Sequence, residues 1–237
     1  MKTIVLSLGG SVLIPSLDSN NVRAYTQILR DIAASHHLFV VVGGGGEARR
    51  YIGAARKLKL DEASADEIGI GVTRLNASLL IGALGDAAYP CVAASYTDAK
   101  VFASCGKIVV MGGVTPGQTT DAVSAVLAES VGADVLINAT SVDGIYSADP
   151  RKDPGATRYD HLTPEGLLEI IRGDRLNAGS NIVFDVVAAK VVERSGISLV
   201  VIDGRDPENL RRAVFEGRFT GTVVSEKKHA PLPLVKK

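Results

Sequence analysis

The sequence predicts an α/β fold, a sandwich of helices around a mainly parallel sheet, on two observations. Short apolar runs rich in β-branched residues alternate along the 237 residues with longer segments of helical periodicity. Within the runs nearly every position is apolar, which is typical of strands that helices cover on both faces. Hydrophobic residues make up 46% of the chain, which excludes an intrinsically disordered protein.

Five apolar runs are the strongest strand candidates, and two shorter runs are weaker ones. The five lie at residues 3–8, 38–42, 107–111, 134–138 and 198–202. The two weaker candidates lie at residues 91–95 and 222–225. Because strands and helices alternate along the chain, we expect the strands to form one mainly parallel sheet.

Capping residues mark the ends of the helices between these strands. Asp206 and Thr163 each precede a proline and a glutamate, so we predict that a helix begins at each proline. Ser64 and Glu67 predict a capping box at the start of a long helix that ends near residue 85. Three glycines follow helical stretches where a left-handed residue is expected, namely Gly132, Gly196 and Gly217.

Residues 144–160, rich in Asp, Pro, Lys and Arg, predict a long irregular connection, which is a candidate for a lobe boundary or a lid. We predict a single domain with an N-terminal lobe at about residues 1–130 and a C-terminal lobe at about residues 131–225. The tail at residues 226–237 contains Pro231 and Pro233, and we expect it to be frayed.

Charge balance and cysteine content narrow the class of protein. Lys plus Arg and Asp plus Glu both number 26, so the chain lacks the basic excess of nucleic-acid binders. Two separated cysteines and four scattered histidines match neither a disulfide framework nor a zinc site. No apolar run approaches the ~20 residues of a membrane span, and no secretory signal is recognisable. We expect a cytoplasmic protein with no metal site of its own and no membrane or nucleic-acid partner.

Glycine is in excess, and the excess lies in loops that follow strands. The chain has 25 glycines, against about 17 at the typical usage of ~7%. Loops at residues 9–10, 43–46 and 112–117 come directly after apolar runs. Ligands of open parallel sheets bind beyond the carboxyl ends of the strands, and glycine lets backbone amides converge there on an anion. Three such loops predict a site that holds more than one phosphate.

Motifs that the sequence lacks narrow the type of phosphate ligand. There is no Gly-x-x-x-x-Gly-Lys-Ser/Thr string of a P-loop NTPase and no His-Arg-Asp or Asp-Phe-Gly string of a protein kinase. Residues 43–48 match the loose dinucleotide pattern Gly-x-Gly-x-x-Ala, which leaves a nicotinamide-dependent oxidoreductase open as a minor alternative. The string at residues 113–121 ends in Thr119, Thr120 and Asp121, which suit a helix start and offer hydroxyls to a base or a phosphate.

Four motifs occur in an order that resembles the amino-acid-kinase family. They are Leu-Gly-Gly-Ser at 8–11, Val-Gly-Gly-Gly-Gly at 42–46, Thr-Pro-Gly-Gln-Thr-Thr-Asp at 115–121, and Thr-Ser-Val-Asp-Gly-Ile-Tyr at 140–146 followed by Asp149-Pro150. Within the family, the chain is most similar to the uridylate (UMP) kinases of the archaeal type, and the resemblance covers nearly the whole chain.

The resemblance implies a fold, a reaction and an assembly. The fold is an open three-layer α/β/α sandwich whose N-terminal lobe binds the acceptor and whose C-terminal lobe binds ATP. The reaction transfers the γ-phosphoryl of ATP to UMP, giving UDP and ADP in pyrimidine nucleotide biosynthesis, with Mg²⁺ arriving on the nucleotide. The assembly is a homohexamer.

The resemblance also implies the residues of the site. The residues implied to bind ATP are Gly9, Gly10, Gly45, Arg49, Thr140, Tyr146 and Asp149. The residues implied to bind UMP are Gly44, Asp66, Val114, Thr115, Pro116, Gly117, Gln118, Thr119 and Thr120. The implied catalytic residues are Arg49, whose forked guanidinium suits phosphate oxygens, and Asp185, which organises polar groups near the transferred phosphoryl.

One position departs from the family pattern. Many members carry a lysine two residues before the first glycine of the first loop, where it stabilises the transferred phosphoryl, and this chain has Ser7 there. The departure keeps two alternatives open. One is an enzyme of the same fold with another acceptor, and the other is a non-catalytic nucleotide-binding or storage protein.

Overall fold

A seven-stranded sheet lies at the centre of the computed structural model, which describes residues 1–150, 152–175, 184–226 and 231–234. The strands are β1 (Lys2–Leu8), β2 (His36–Val42), β3 (Val109–Met111), β4 (Val135–Thr140), β5 (His161–Leu162), β6 (Ser198–Asp203) and β7 (Gly221–Val224). Their order across the sheet is β3-β2-β1-β4-β6-β7-β5. Among these described strands, neighbours are parallel except for β6 and β7.

Helices cover both faces of the sheet. They are α1 (Gly10–Leu13), α2 (Val22–Ala33), α3 (Gly45–Lys57), α4 (Glu62–Leu84), α5 (Tyr96–Ala103), α6 (Thr120–Val131), α7 (Pro164–Arg175), α8 (Val186–Ser195) and α9 (Pro207–Glu216). Tyr25 of α2, Leu80 of α4 and Leu210 of α9 pack in one core. Leu127 of α6 and Leu167 of α7 pack in the other, on the opposite face of the sheet. The predicted three-layer α/β/α sandwich with a mainly parallel sheet is confirmed.

The strands are buried on both faces, as their continuous apolar sequences predict. Along β1, Ile4 and Leu6 join the core beneath α2 and α4, and Val5 joins the core beneath α6 and α7. Since side chains alternate along a strand, Ser7 faces the same side as Val5. It is buried, and the ladder pairs it with Asn138 of β4. Two polar residues therefore lie side by side at the carboxyl end of the sheet.

All five strong strand candidates are strands, and one of the two weaker candidates is a strand as well. The run at residues 222–225 corresponds to β7, which pairs antiparallel to β6. The run at residues 91–95 forms only an isolated bridge between Ala93 and Met111 within the described chain. The short strand β5 was not predicted, because two residues show no periodicity.

The helix ends follow the predicted caps with one exception. The Asp206 carboxylate caps α9, and the glycines expected after helices adopt left-handed φ values, 62° at Gly132, 66° at Gly196 and 67° at Gly217. The capping box at Ser64 was wrong. Asp61 is the N-cap of α4, and its carboxylate accepts from the Ser64 N–H at 2.9 Å. The helix therefore begins at Glu62, because Asp61 already binds an amide of the first turn.

The helix α4 is unusually long and apolar. It is long and apolar enough to pass for a membrane span by length and composition, so the expectation that no run approaches that length fails here. Leu80 and Leu84 pack into the core against the sheet, and the polar Thr73 and Asn76 are buried as well. One side of α4 therefore packs in the core, as a helix of an α/β layer does, while other side chains of the helix, among them Leu75, are exposed.

The connection from β4 to β5 is irregular, as its composition predicts. Its described residues contain no helix or strand, and an isolated bridge joins Tyr146 to Arg158. The sheet continues from β4 to β6 past this connection, so the two expected lobes share one sheet and their boundaries stay a prediction. Of the tail, residues 227–230 and 235–237 lie outside the described residues.

Candidate active site

Two glycine loops meet at the carboxyl ends of β1 and β2. Gly9 and Gly10 lead from β1 into α1, and residues 43–46 lead from β2 into α3. A Cβ on Gly10 would overlap backbone atoms of Gly43 and Gly45, so only glycine allows this approach. Gly45 has a φ of 65°, which also favours glycine. The first two glycine loops thus form one continuous backbone surface.

This surface presents the N-termini of α1 and α3. The first amides of a helix have no acceptor within the helix, and the helix dipole makes the same end electropositive. The N-cap residues Gly9 and Gly44 have no side chain to occupy those amides. The arrangement is one that binds phosphate groups.

The first cavity, of about 410 Å³, opens above these loops and has the size of a small-molecule site. The predicted residues that line it are Gly9, Gly10, Gly44, Gly45, Arg49, Asp66, Gln118, Thr120 and Thr140. The polar residues that line it without a predicted role include Thr73, Asp121, Asn138 and Ser141. Of the predicted UMP residues, those that do not line it are Val114, Thr115, Pro116, Gly117 and Thr119.

The second cavity, of about 680 Å³, lies beside the irregular connection after β4. The predicted ATP residues that line it are Arg49, Thr140, Tyr146 and Asp149. Apolar side chains also line it, among them Leu167, Ile171 and Phe184. A cavity lined by both apolar and polar groups suits a nucleoside, whose base is flat and whose ribose carries hydroxyls.

The two cavities adjoin, since Ser11, Arg49, Thr140 and Ser141 line both. Arg49 Nη2 donates to Ser11 Oγ at 3.2 Å, which holds the guanidinium at the junction. The neighbouring Arg50 does not line either cavity, and its Nη1 pairs with Glu47 at 3.0 Å. A guanidinium between two anion-binding cavities can bind phosphate oxygens from both sides.

The helix α4 binds the glycine loop at residues 43–46 through one side chain. Asn76 is buried, and its Nδ2 donates to the carbonyl oxygens of Gly43 and Gly44 at 3.0 and 3.3 Å. In a trans peptide, the N–H points opposite to the carbonyl of the preceding residue. Fixing both carbonyls toward α4 therefore turns the next N–H groups, those of Gly44 and Gly45, away from it.

The same helix holds the loop that is predicted to wrap uridine. Thr73 Oγ1 accepts from the N–H of Gly113 at 2.7 Å, and the carboxylate of Asp66 accepts from the N–H of Gly117 at 2.7 Å. Asp66 was predicted as an acceptor for the ribose of UMP. A carboxylate has further acceptor sites, so the bond to Gly117 leaves capacity for a ribose hydroxyl.

We call Ser7, Asp121 and Asn138 the floor of the first cavity; Asp121 and Asn138 line it, and Ser7 is joined to it through Asp121. Ser7 Oγ donates to Asp121 Oδ1 at 3.0 Å. Burial raises the pKa of the Asp121 carboxyl to about 6; the hydrogen bond from Ser7 lowers the pKa, and the nearby charge of Asp185 raises it. At the position where many family members carry a lysine, this chain therefore has a hydroxyl that binds a carboxylate.

Asp185, predicted as a catalytic residue, is the N-cap of α8. Its Oδ1 accepts from the N–H groups of Val187 and Ala188 at 2.7 and 3.0 Å, and the residue lines neither cavity. It acts on the site through its charge, which raises the pKa of Asp121. Its catalytic role stays a prediction.

Tyr146 lines the second cavity, and a hydrogen bond fixes the position of its side chain. Its hydroxyl donates to the carboxylate of Asp143 at 3.0 Å, and Arg158 Nη1 lies 3.4 Å from the same carboxylate. Burial is the main cause that raises the pKa of the Tyr146 hydroxyl, and Asp143 adds to it. The ring is thereby held at the wall where a nucleoside would lie.

Sequence reasoning missed several residues of the floor and of the α4 face. From sequence, Asp121 was predicted only as an acidic residue in the first turn of a helix. Thr73 and Asn76 lie within an apolar helix, and no pattern indicated a role for them. One signal was available for Asn138. It ends an otherwise apolar run, and a polar residue at the carboxyl end of a buried strand indicates a ligand site.

The site defines a class of protein, the α/β proteins that bind phosphorylated ligands. It combines glycine loops, helix N-termini without a side-chain cap and two adjoining cavities at one sheet edge. Comparison with known proteins gives the particular family. The sequence profile of the Amino acid kinase family matches residues 2–203, and the chain belongs to this family.

Relatives and solved structures are similar over nearly the full chain. A uridylate kinase of Methanoculleus marisnigri is 68% identical over 233 residues, which cover 98% of this chain and 100% of the relative. One from Methanospirillum hungatei is 59% identical over 236 residues, covering 100% of both chains. The crystal structure of uridylate kinase from Archaeoglobus fulgidus superposes with a TM-score of 0.85 at 47% identity, covering 95% of this chain and 100% of that one. The predicted resemblance to the archaeal uridylate kinases is confirmed.

Proposed function

We propose that this protein is a phosphotransferase that moves the γ-phosphoryl of ATP to UMP, giving UDP and ADP. The observation that carries the proposal is the pair of cavities that meet at Arg49 beside the glycine loops. The second cavity has apolar side chains for the base of a nucleoside, and the first has hydroxyls and amides for a nucleoside monophosphate. The names of the relatives support UMP as the acceptor.

The roles follow from this placement of the two nucleotides. ATP lies in the second cavity with its nucleoside at Thr140, Tyr146 and Asp149, and its phosphates reach the amides of the first loop. UMP lies in the first cavity with its phosphate near Gly44 and its ribose at Asp66. The loop at residues 114–120 wraps the uridine, and α4 holds that loop in place.

The reaction depends on positioning and charge stabilisation more than on acid–base chemistry. A phosphate monoester has a second pKa of about 6, so UMP offers an anionic oxygen at neutral pH and needs no base to activate it. Arg49 and the helix amides stabilise the negative charge on the phosphoryl group as it passes between the cavities.

The site fits a magnesium ion that arrives with ATP. Across the described ranges of the chain, no three His, Cys, Asp or Glu side chains cluster as a metal site. Magnesium keeps several waters and binds readily through nucleotide phosphates, so it needs no protein cage. When bound, Mg²⁺ neutralises charge on the β- and γ-phosphates.

The proposed reaction belongs to pyrimidine nucleotide biosynthesis in the cytoplasm, and we propose that the chain works as a homohexamer. A formal net charge of zero is compatible with this reaction, since backbone amides and one arginine hold the phosphates without a basic surface.

An acceptor panel tests the proposal. Purified protein with ATP and Mg²⁺ is offered UMP, CMP, dTMP and small phosphate or carboxylate acceptors, and the nucleotide products are separated by ion exchange. We expect ADP and UDP to form with UMP, and the other acceptors to react far more slowly. Three outcomes would overturn the proposal. Turnover with a different acceptor only would indicate an enzyme of the same fold with another acceptor, and nucleotide binding without turnover would indicate a storage protein. Reduction of a nicotinamide cofactor would indicate an oxidoreductase.

A further inference from the structure

The side-chain nitrogen of one asparagine at the first cavity has no hydrogen-bond acceptor within the part of the chain that the structure describes. Asn138 lies near the carboxyl end of β4, is 2% exposed and lines the cavity. Its Nδ2 is buried, and no acceptor in the described chain binds it. A buried donor without an acceptor destabilises a folded protein, so such groups are rare, and one that lines a cavity is available to a ligand.

The other buried asparagines of the described chain have the hydrogen-bond acceptors that Asn138 Nδ2 lacks. The Nδ2 atoms of Asn76 and Asn209 each donate to two backbone carbonyls, at distances between 3.0 and 3.3 Å. Neither residue lines either of the two cavities. Among the buried asparagines of the described chain, Asn138 is therefore the one with an unused donor, and it is also the one that lines a cavity.

The place of Asn138 in the sheet brings it next to the junction of the cavities. Ser7 is its ladder partner on β1, and both side chains face the α6 side of the sheet. Ser7 donates to Asp121, which lines the first cavity with Asn138. Two residues further along β4, Thr140 lines both cavities. The unused donor thus belongs to the same strand end as Thr140 and as Ala139, whose carbonyl accepts from the N–H of Gly9 in the first loop.

We propose that Asn138 is a catalytic residue whose Nδ2 donates a hydrogen bond to a non-bridging oxygen of the phosphoryl group in transit. The inference rests on the proposed function. During transfer, an oxygen of the UMP phosphate forms a bond to the γ-phosphorus, the bond from that phosphorus to the β–γ bridging oxygen breaks, and the electron pair stays on ADP. The amide gives up no proton. It supplies a fixed donor where negative charge accumulates, at a site that carries Ser7 rather than a lysine.

The test compares Asn138→Leu with the matched variant Asn209→Leu. Leucine has nearly the shape of asparagine and no donor. We expect Asn138→Leu to lower kcat for UDP formation about 10²- to 10³-fold, the loss typical for one preorganised donor, while KM for UMP and for ATP changes much less. Its Tm should equal or exceed that of the wild type, because the substitution breaks no hydrogen bond of Nδ2 in the folded protein.

Asn209→Leu should behave in the opposite way, with a lower Tm and an unchanged kcat for the folded enzyme. It breaks two hydrogen bonds that Nδ2 donates and one that Oδ1 accepts from the N–H of Thr220, all of them outside the site. A kcat of Asn138→Leu that stays within tenfold of the wild type overturns the inference, and so does a Tm loss as large as that of Asn209→Leu. If the leucine variant does not fold, Asn138→Ala is measured against the same two criteria. Wild-type protein that forms no UDP would instead overturn the proposed function, which keeps the two failures distinct.

Discussion

Arg49 and Arg50 are neighbours in α3 with different surroundings, and they give a matched test of phosphate binding. Arg49 lies at the junction of the cavities beside Ser11, and Arg50 pairs with Glu47 away from them. We expect Arg49→Ala to lower kcat/KM for UMP phosphorylation about 10- to 100-fold, the value of one charge-assisted hydrogen bond. Steady-state kinetics and a thermal melt of each variant provide the measurement.

Arg50→Ala is the control. An exposed ion pair contributes little to stability, so we expect kcat/KM within about twofold of the wild type and an unchanged Tm. Equal kinetic losses in the two variants would contradict the assignment of Arg49 to the phosphates.

Asp121 makes the stability of the ligand-free protein depend on pH. Burial raises the pKa of its carboxyl to about 6 from an ordinary value of 3.8, so the folded state binds a proton that the unfolded state releases. The free energy of unfolding should therefore fall as pH rises from about 4 to about 6, by up to about 3 kcal/mol from this group. Urea unfolding of wild type and Asp121→Asn at several pH values measures the difference.

The asparagine variant keeps an acceptor for Ser7 and carries no charge to bury. Its free energy of unfolding should exceed that of the wild type by an amount that grows across this pH range and levels off above it. A constant difference between the two proteins from pH 4 to 7 would contradict the raised pKa.

At the scale of elements, the contact of the first two glycine loops is testable through one Cβ. In Gly10→Ala the new Cβ overlaps Gly43 and Gly45, so the loops must separate and the amides lose their alignment. We expect kcat/KM to fall at least about 10²-fold, as a displacement of about 1 Å in a catalytic site can cause. Turnover and Tm are measured together.

Gly53→Ala in α3 is the control for the loop variant. A Cβ at Gly53 meets no atom within 4 Å, so alanine should stabilise the helix by about 0.5–1 kcal/mol and leave turnover unchanged. Full activity in Gly10→Ala would show that the close approach of the loops is not required.

The elements also show why sequence predicts some features and misses others. Buried parallel strands leave continuous apolar runs, and Asp206 with its following proline leaves a local pattern, so both were recognisable. The start of α4 was misplaced because Asp61 and Ser64 are both good caps, and only tertiary structure decides between them. The antiparallel direction of β7 depends on the path of the whole chain, which no local pattern records.

At the scale of the whole molecule, the proposed assembly predicts a mass. The helix α4 leaves Leu75 and Leu79, one turn apart, 66% and 52% exposed, and exposed apolar patches often mark interfaces. We expect light scattering on a sizing column to give six times the chain mass of 24.8 kDa. A monomer mass at micromolar concentration would contradict the hexamer.

The location of the site was predictable from sequence, and its floor was not. Glycine loops after strands must gather at the carboxyl edge of a parallel sheet, so the general position followed from topology alone. The floor, by contrast, joins Ser7 of β1, Asn138 of β4 and Asp121 of α6, which are far apart in sequence. Their proximity depends on the order of the strands, and single-residue patterns do not encode that order.

Under the proposed function, the attachment of the loops at residues 43–46 and 113–117 to α4 also fixes the distance between the phosphate end and the uridine end of the acceptor. Asp66 and Asn76 are about 15 Å apart along the helix axis, at 1.5 Å per residue. A helix resists stretching, so these two loops cannot move apart along α4. Under the proposed function, a nucleoside without phosphate would leave the phosphate end of this span empty, so we expect it to be a poor acceptor.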